Sequence, residues 1–397
     1  MRIKKLLLKA LAVLVVLTFL GIILFVVLIN ISLPKDNGEL SCSSLKTEVN
    51  IYKDNWGVAH IQASNQHDAI FAYGYTVAKD RLFQMDLQRR VAQGRLAEIL
   101  GDDLIEIDMM FRRYLFKDWA QNYLANTKID SEALAYVDAY LEGINSYIET
   151  GPKPFEYHLI GAEIDPFTRL DVSSMIAYMA FTFMDGIRFD GLYSILKEKV
   201  GENNIHILFP DYADNNSLTI KEEKVPSIPK RTYTIDTTHL LLDSINQLAY
   251  FFNLNDQVNR WNPPFHGSNS WILAPSRTNN GMPILANDPH IGISKPDVWY
   301  EAHVSYPGYN NYGYYVPMIP FPLIGHDDFK AWGLTMFEND ELDLYKETFH
   351  PEKENLVLYD NQWVEHKTIT ETIYSKSNKD TTISIKVTAN GPVVSDN

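Results

Sequence analysis

Helical periodicity through the first two hundred residues, strand-like alternation after Gly267 and one long uncharged run near the N-terminus predict an α+β protein preceded by a single transmembrane helix. The composition agrees with a large packed core: 46% of the 397 residues are apolar, with 23 Tyr, 19 Phe and 7 Trp. The net charge of −15 excludes nucleic acid as a general partner, because phosphate binding needs a basic surface. One cysteine, Cys42, excludes an intrachain disulfide and the Cys-rich zinc motifs.

Residues 1–9 form a basic tail carrying Arg2, Lys4, Lys5 and Lys9, and "ALAVLVVLTFLGIILFVVLINISLP" follows without a charge. A bilayer core takes about 20 apolar residues in a helix, so residues 10–33 are read as a transmembrane anchor. The run is long for a signal-peptide core and has no small-x-small cleavage site, which favours an uncleaved anchor. The basic flank places the N-terminus in the cytoplasm and the rest of the chain outside it. "ELSC" ends at Cys42, but Pro34 to Glu39 separate it from the apolar run, so an inert thiol is preferred to a lipidated one.

A helical part is expected over 48–201. "EVNIYKDNWGVAHIQ" predicts two short strands around an Asn55-Trp56-Gly57 turn. The next run carries apolar residues at helical spacing and is expected to stop at Gly101. "DSEALAYVDAYLEGINSYIETG" has a cap at Asp130-Ser131 and Gly151 just past its end. "RLDVSSMIAYMAFTFMD" is apolar nearly all round and reads as a buried helix, and "GLYSILKEKVG" as a further segment ending at Gly201. Residues 202–267 read as a connector. Residues 268–397 are strand-rich, and Asn280-Gly281 signals a hairpin.

Three places could carry chemistry. Ser268 lies outside any G-x-S-x-G turn and has no adjacent base, so a strand-start serine is the bland reading. If the Gly267–Ser268 bond were cut, the new α-amine, with a pKa near about 7.7, could serve as its base. The hairpin would bring His290 opposite the start of its first strand, where it could orient the serine or simply hold a backbone partner. In "FENDELDLYKE", Asp340 and Asp343 flank the Leu342 carbonyl, hard oxygens that suit Ca²⁺, although an acidic turn is usually just solvated and the spacing is not an EF-hand. No H-E-x-x-H spacing supports a metallohydrolase.

Taken together, four blocks resemble the penicillin acylase family of N-terminal-nucleophile hydrolases. "NIYKDNWGVAHIQASNQHDAIFAYGYTVAKDRLFQMDLQRRVAQGRLAEILG" is similar to the opening of the family's α-chain, and "GSNSWILAPSRTNNGMPILANDPHIG" to the opening of its β-chain. "PLIGHDDFKAWGLT" with "DELDLYKE", and "TANGPVVSD", resemble later blocks. The resemblance implies an αββα sandwich, incomplete here, and hydrolysis of a non-peptide amide in a small acyl substrate. It implies a precursor that cuts itself at Gly267–Ser268, with the α and β parts remaining associated. Ser268 would be the nucleophile, His290 a residue lining and orienting it, and the Met336 N–H an oxyanion donor. One structural Ca²⁺ would be held by Asp340, the Leu342 carbonyl, Asp343 and an α-part aspartate, Asp185 or Asp190, with Asp185 favoured by counting back from Gly201. Met179 and Phe183 would line an apolar acyl pocket. "GHDD" stands where the family more often has Gly-His-Asn, and the second oxyanion donor, an asparagine, would lie past Asn397. The chain is therefore expected to be a fragment of a longer pattern. The alternative is a catalytically inactive, membrane-anchored protein that binds an acylated ligand.

Overall fold

The computed structural model describes residues 2–184, 186–209, 253–254, 257–258, 265–336 and 342–395. Its helices are α1 (Arg2–Ser32), α2 (Gln66–Gln93), α3 (Ala97–Leu100), α4 (Ile105–Arg113), α5 (Phe116–Asn126), α6 (Ser131–Thr150), α7 (Phe155–Ile160), α8 (Arg169–Thr182), α9 (Gly186–Val200) and α10 (Glu202–Leu208). Its strands are β1 (Asn50–Lys53), β2 (Ala59–Gln62), β3 (Phe265–Leu273), β4 (Ile284–Ile291), β5 (Tyr300–Tyr306), β6 (Tyr309–Tyr315), β7 (Ile324–His326) and β8 (Ala331–Trp332), followed by β9 (Leu356–Tyr359), β10 (Gln362–Glu365), β11 (Lys367–Ile373), β12 (Thr381–Thr388) and β13 (Gly391–Pro392).

α1 is a 30-residue candidate span from Ile3 to Ser32, apolar enough to cross a membrane by length and composition, and none of its apolar window is buried in the protein. The helix thus begins before residue 10 and takes in the basic tail.

The largest sheet has six strands in the order β1-β2-β5-β6-β7-β8. β2 runs parallel to β5, pairing Ala59 to Gln62 with Ala302 to Ser305, so strands from the two ends of the chain share one sheet. Alternation along β5 buries Tyr300, Ala302 and Val304 against α2, with α6 packed on α2 behind it. The main core joins these residues to Ile61, Tyr73, Val77, Tyr140, Ile144, Tyr315 and Met318. The expected sandwich is seen as one helix layer on one large sheet. β3 and β4 stand as a separate two-stranded sheet, and no second sheet of comparable size is present among the described residues.

α2 ends earlier than the apolar spacing suggests. Gly94 takes a left-handed conformation and its N–H caps the Arg90 and Val91 carbonyls, whereas Gly101 closes only the short α3. α6 has the expected ends, with the Asp130 side chain accepting from the Glu132 and Ala133 N–H groups. α8 is less uniformly buried than its composition suggests, because Ile176 is exposed.

A buried ion network locks α2 to the segment before α8. Asp86 accepts from Arg89 Nε at 2.7 Å, Arg90 Nε at 3.1 Å and Tyr157 Oη at 2.8 Å. Burial alone would raise the Asp86 carboxyl, but the two guanidinium groups outweigh it and hold it below the usual range.

Candidate active site

The site is assembled by a strand pair and one returning segment. β3 and β4 pair antiparallel, with Gly267 opposite His290 and Ser268 opposite Pro289, so the hairpin delivers the histidine to the junction as expected. The connection is not a two-residue Asn-Gly turn. Ten residues, 274–283, join the strands through a short helical turn at Pro275–Arg277, and Gly281 sits in the left-handed region with φ 68°.

The backbone is irregular just before Ser268. The strand register shifts between Phe265 and Gly267, and Gly267 has φ 141°, a conformation that favours glycine. A Cβ at Gly267 would lie 3.6 Å from His290 Nδ1. The other ring nitrogen, Nε2, is 3.1 Å from Asp288 Oδ2 and 3.3 Å from Asn269 Nδ2. The two neighbours select opposite tautomers. A carboxylate only accepts, so pairing with Asp288 puts the proton on Nε2 and turns the Nδ1 lone pair toward the junction. Pairing with the Asn269 N–H does the reverse. The charge-assisted bond to Asp288 is the stronger kind, although both side chains are largely exposed.

Met336 comes from a distant part of the chain. Its N–H donates to Ser268 Oγ at 2.8 Å, across 68 positions of sequence. The distance is that of a good N–H···O bond. The bond sets a backbone N–H dipole beside the Ser268 hydroxyl.

The segment carrying Met336 is tied to the hairpin by Asn287, a residue sequence reasoning passed over. Its Nδ2 donates to the Leu334 carbonyl at 3.0 Å and the Asn269 carbonyl at 3.1 Å, and its Oδ1 accepts from the Leu334 N–H at 2.8 Å. Sequence separation hid it: Asn287 and Leu334 are 47 positions apart. The available signal was its place in "ANDPH", between the two hairpin residues already suspected.

Met179 lies in the last turn of α8 and Phe183 just past its end, and α8 packs on α5, α2 and α6. Asp185 and Asp340 lie outside the described residues. Asp190 falls in α9. Leu342 is half-buried, Asp343 is exposed, and Asp343 Oδ2 accepts from Tyr345 Oη at 3.4 Å. Among the described residues there is no group of three or more His, Cys, Asp or Glu that could hold a metal ion. A carbonyl and a carboxylate suit Ca²⁺ in kind, but two groups do not make the six to eight oxygens of its shell.

A family model described as penicillin amidase matches residues 48–397. Among curated proteins, the chain is 31% identical over 368 residues to penicillin acylase 2 proenzyme of Pseudomonas sp. (strain SE83), covering 91% of this chain and 46% of that protein. It is 28% identical to acyl-homoserine lactone acylase QuiP of Pseudomonas aeruginosa, covering 91% of this chain and 42% of that protein. It is 25% identical to penicillin G acylase of Escherichia coli, covering 88% and 46%. The chain thus spans less than half the length of these relatives. A solved chain of the thermostable penicillin G acylase from Alcaligenes faecalis is 28% identical and covers 46% of this chain and 98% of its own, with a TM-score of 0.36, too low to speak for the fold.

Proposed function

The chain belongs to the penicillin amidase family, and on that premise we propose that it is the nucleophile-bearing part of an amidohydrolase that cuts a linear, non-peptide amide in a small acyl substrate. The observation that carries the proposal is the Met336 N–H donating to Ser268 Oγ at 2.8 Å, beside a junction bulged at Gly267. Relatives named as penicillin and acyl-homoserine lactone acylases support the reaction class.

In the intact chain, Ser268 Oγ attacks the Gly267 carbonyl carbon. The C–N bond breaks, the nitrogen takes a proton and an ester forms. Water then hydrolyses the ester, leaving a Gly267 carboxylate and a free Ser268 α-amine. That amine becomes the base for the hydroxyl on the same residue, with a pKa near about 7.7 that suits neutral pH. In turnover, Oγ attacks the substrate carbonyl, and the Met336 N–H stabilises the oxyanion. The amine product leaves with a proton and an acyl-serine remains until water releases the acid. His290, presenting Nδ1 toward the junction, orients this centre. Met179 and Phe183 are proposed to contact an apolar acyl group.

Ca²⁺ is proposed as a structural ion held by the Leu342 carbonyl and Asp343 with Asp340 and Asp185. α1 is proposed as a retained anchor, with its basic end cytoplasmic and the rest of the chain outside.

Intact mass and N-terminal sequencing of the purified chain test the central claim. Two pieces are expected, the second beginning Ser-Asn-Ser-Trp, and Ser268→Ala should abolish both cutting and turnover. An uncut chain that still hydrolyses amides overturns it. An uncut chain that binds an acyl amide without turnover supports the non-catalytic alternative.

A further inference from the structure

We propose that Asn287 is a positioning residue for the reaction, whose side-chain amide fixes the Met336 N–H on Ser268 Oγ. This inference rests on the reading of Ser268 as nucleophile and adds a residue to it.

The Leu334 and Met336 N–H groups both meet the hairpin, one on Asn287 Oδ1 and the other on Ser268 Oγ. The Leu334 peptide meets no strand there. It meets the Asn287 carboxamide, which pairs with both its N–H and its C=O, at 2.8 and 3.0 Å, as a neighbouring strand would. The second Nδ2 hydrogen goes to the Asn269 carbonyl at 3.1 Å, one residue after Ser268. Asn287 therefore spends both its donors and one acceptor site holding the returning segment at a fixed offset from the nucleophile. Two residues further on, that offset puts Met336 N–H 2.8 Å from Ser268 Oγ.

Gly333 completes the fit from the other side. A Cβ there would lie 2.5 Å from Asn287 Oδ1 and 2.9 Å from Asn287 Cβ, so any larger residue must displace the carboxamide. The conformation of Gly333 is not in the left-handed region, so its effect would be one of contact alone. An aspartate at 287 would keep the acceptor for the Leu334 N–H but lose both donors. A leucine would fill similar volume and lose all three bonds.

Two readouts separate this proposal from the one it rests on. The first is independent of chemistry: hydrogen-exchange mass spectrometry on the full chain in detergent micelles. Asn287→Ala and Gly333→Ala are each expected to speed amide exchange over 333–336 by roughly tenfold or more, while β5 keeps its protection. Unchanged exchange over 333–336 in both variants overturns the inference. The second readout is kinetic. A donor displaced by about 1 Å can lose on the order of a hundredfold in rate. Asn287→Ala should therefore lower kcat by about that factor with KM little changed, and Asn287→Asp should do no better, because its carboxylate would face the Leu334 and Asn269 carbonyl oxygens. A faster-exchanging segment with kcat unaltered overturns the positioning role. A wild-type chain that neither cuts nor turns over, yet shows the exchange response, supports the Asn287 hold on Met336 and overturns the Ser268 reading instead.

Discussion

Asp102, between α3 and α4, accepts hydrogen bonds from the Ser375 and Ser377 hydroxyls and lies 3.1 Å from the Lys379 ammonium. The Ser375 bond contributes most, and with Ser377 and Lys379 it brings the carboxyl down to about 2. The sign follows from linkage. A carboxyl whose folded pKa lies below its unfolded value of about 3.9 stabilises the fold above that pH. The contribution disappears as pH falls from about 4 toward 2. Because Lys379 is largely exposed, the ion-pair part should be weak and salt-sensitive. Asp102→Asn is therefore expected to be less stable than wild type at pH 7, with the gap narrowing below pH 4, as followed by denaturant unfolding across that range. A gap that widens toward pH 2 reverses the assignment. That His290 returns near the start of the first hairpin strand could be read from the sequence, because a hairpin is local, but the register, with Gly267 opposite His290, could not, since a ten-residue connection replaces the Asn-Gly turn. Nor could the pairing of Asn287, since its partner Leu334 arrives by a tertiary return.

The crossing of α2 and α6 depends on two glycines. A Cβ at Gly74 would lie 2.2 Å from the Tyr140 carbonyl oxygen, and one at Gly143 would lie 2.0 Å from the Phe71 carbonyl oxygen. The helices thus touch backbone to backbone, which brings the Tyr73 and Tyr140 rings to 5.5 Å and lets Tyr140 Oη accept from the Met318 N–H at 3.2 Å. An isolated helix would gain about 1 kcal/mol from Gly→Ala. Here the contact atom is backbone, which cannot swing aside, and overpacking typically costs about 1–3 kcal/mol. Gly143→Ala should consequently lower the thermal midpoint by several degrees, and a raised midpoint would show that the helices are further apart. The sequence showed α6 with both of its ends, because capping is local chemistry. It misplaced the end of α2, where Gly94 rather than Gly101 takes the left-handed cap. Both glycines suit a stop, and the choice belongs to packing: a Cβ at Gly94 would meet the Asp108 carbonyl oxygen at 2.6 Å.

Described residues on either side of Gly267 share one sheet and one core. β2 and β5 share a sheet, and Ile61, Tyr73 and Tyr140 share a core with Tyr300, Ala302, Val304 and Tyr315. At the far side, Arg112 pairs with Glu371, and the Lys376 N–H donates to the Ala97 carbonyl at 3.0 Å. Cutting at Gly267–Ser268 removes one covalent link and none of these contacts. The two pieces are expected to co-elute in size-exclusion chromatography in detergent and to separate only in denaturant. Pieces that separate in native buffer would contradict the shared core.

By sequence alone the chain declared its apolar N-terminal run, its helix-then-strand texture, its family and a hairpin that returns His290 to the start of its first strand. The run, the texture and the hairpin are written in composition, periodicity or neighbouring positions, and the family in the resemblance of four sequence blocks. The tertiary structure alone decided that β2 lies beside β5, that the Met336 N–H meets Ser268 Oγ itself, and that Asn287 bonds Leu334 with Gly333 against it. Those contacts join residues tens to hundreds of positions apart, beyond the reach of periodicity and local pattern.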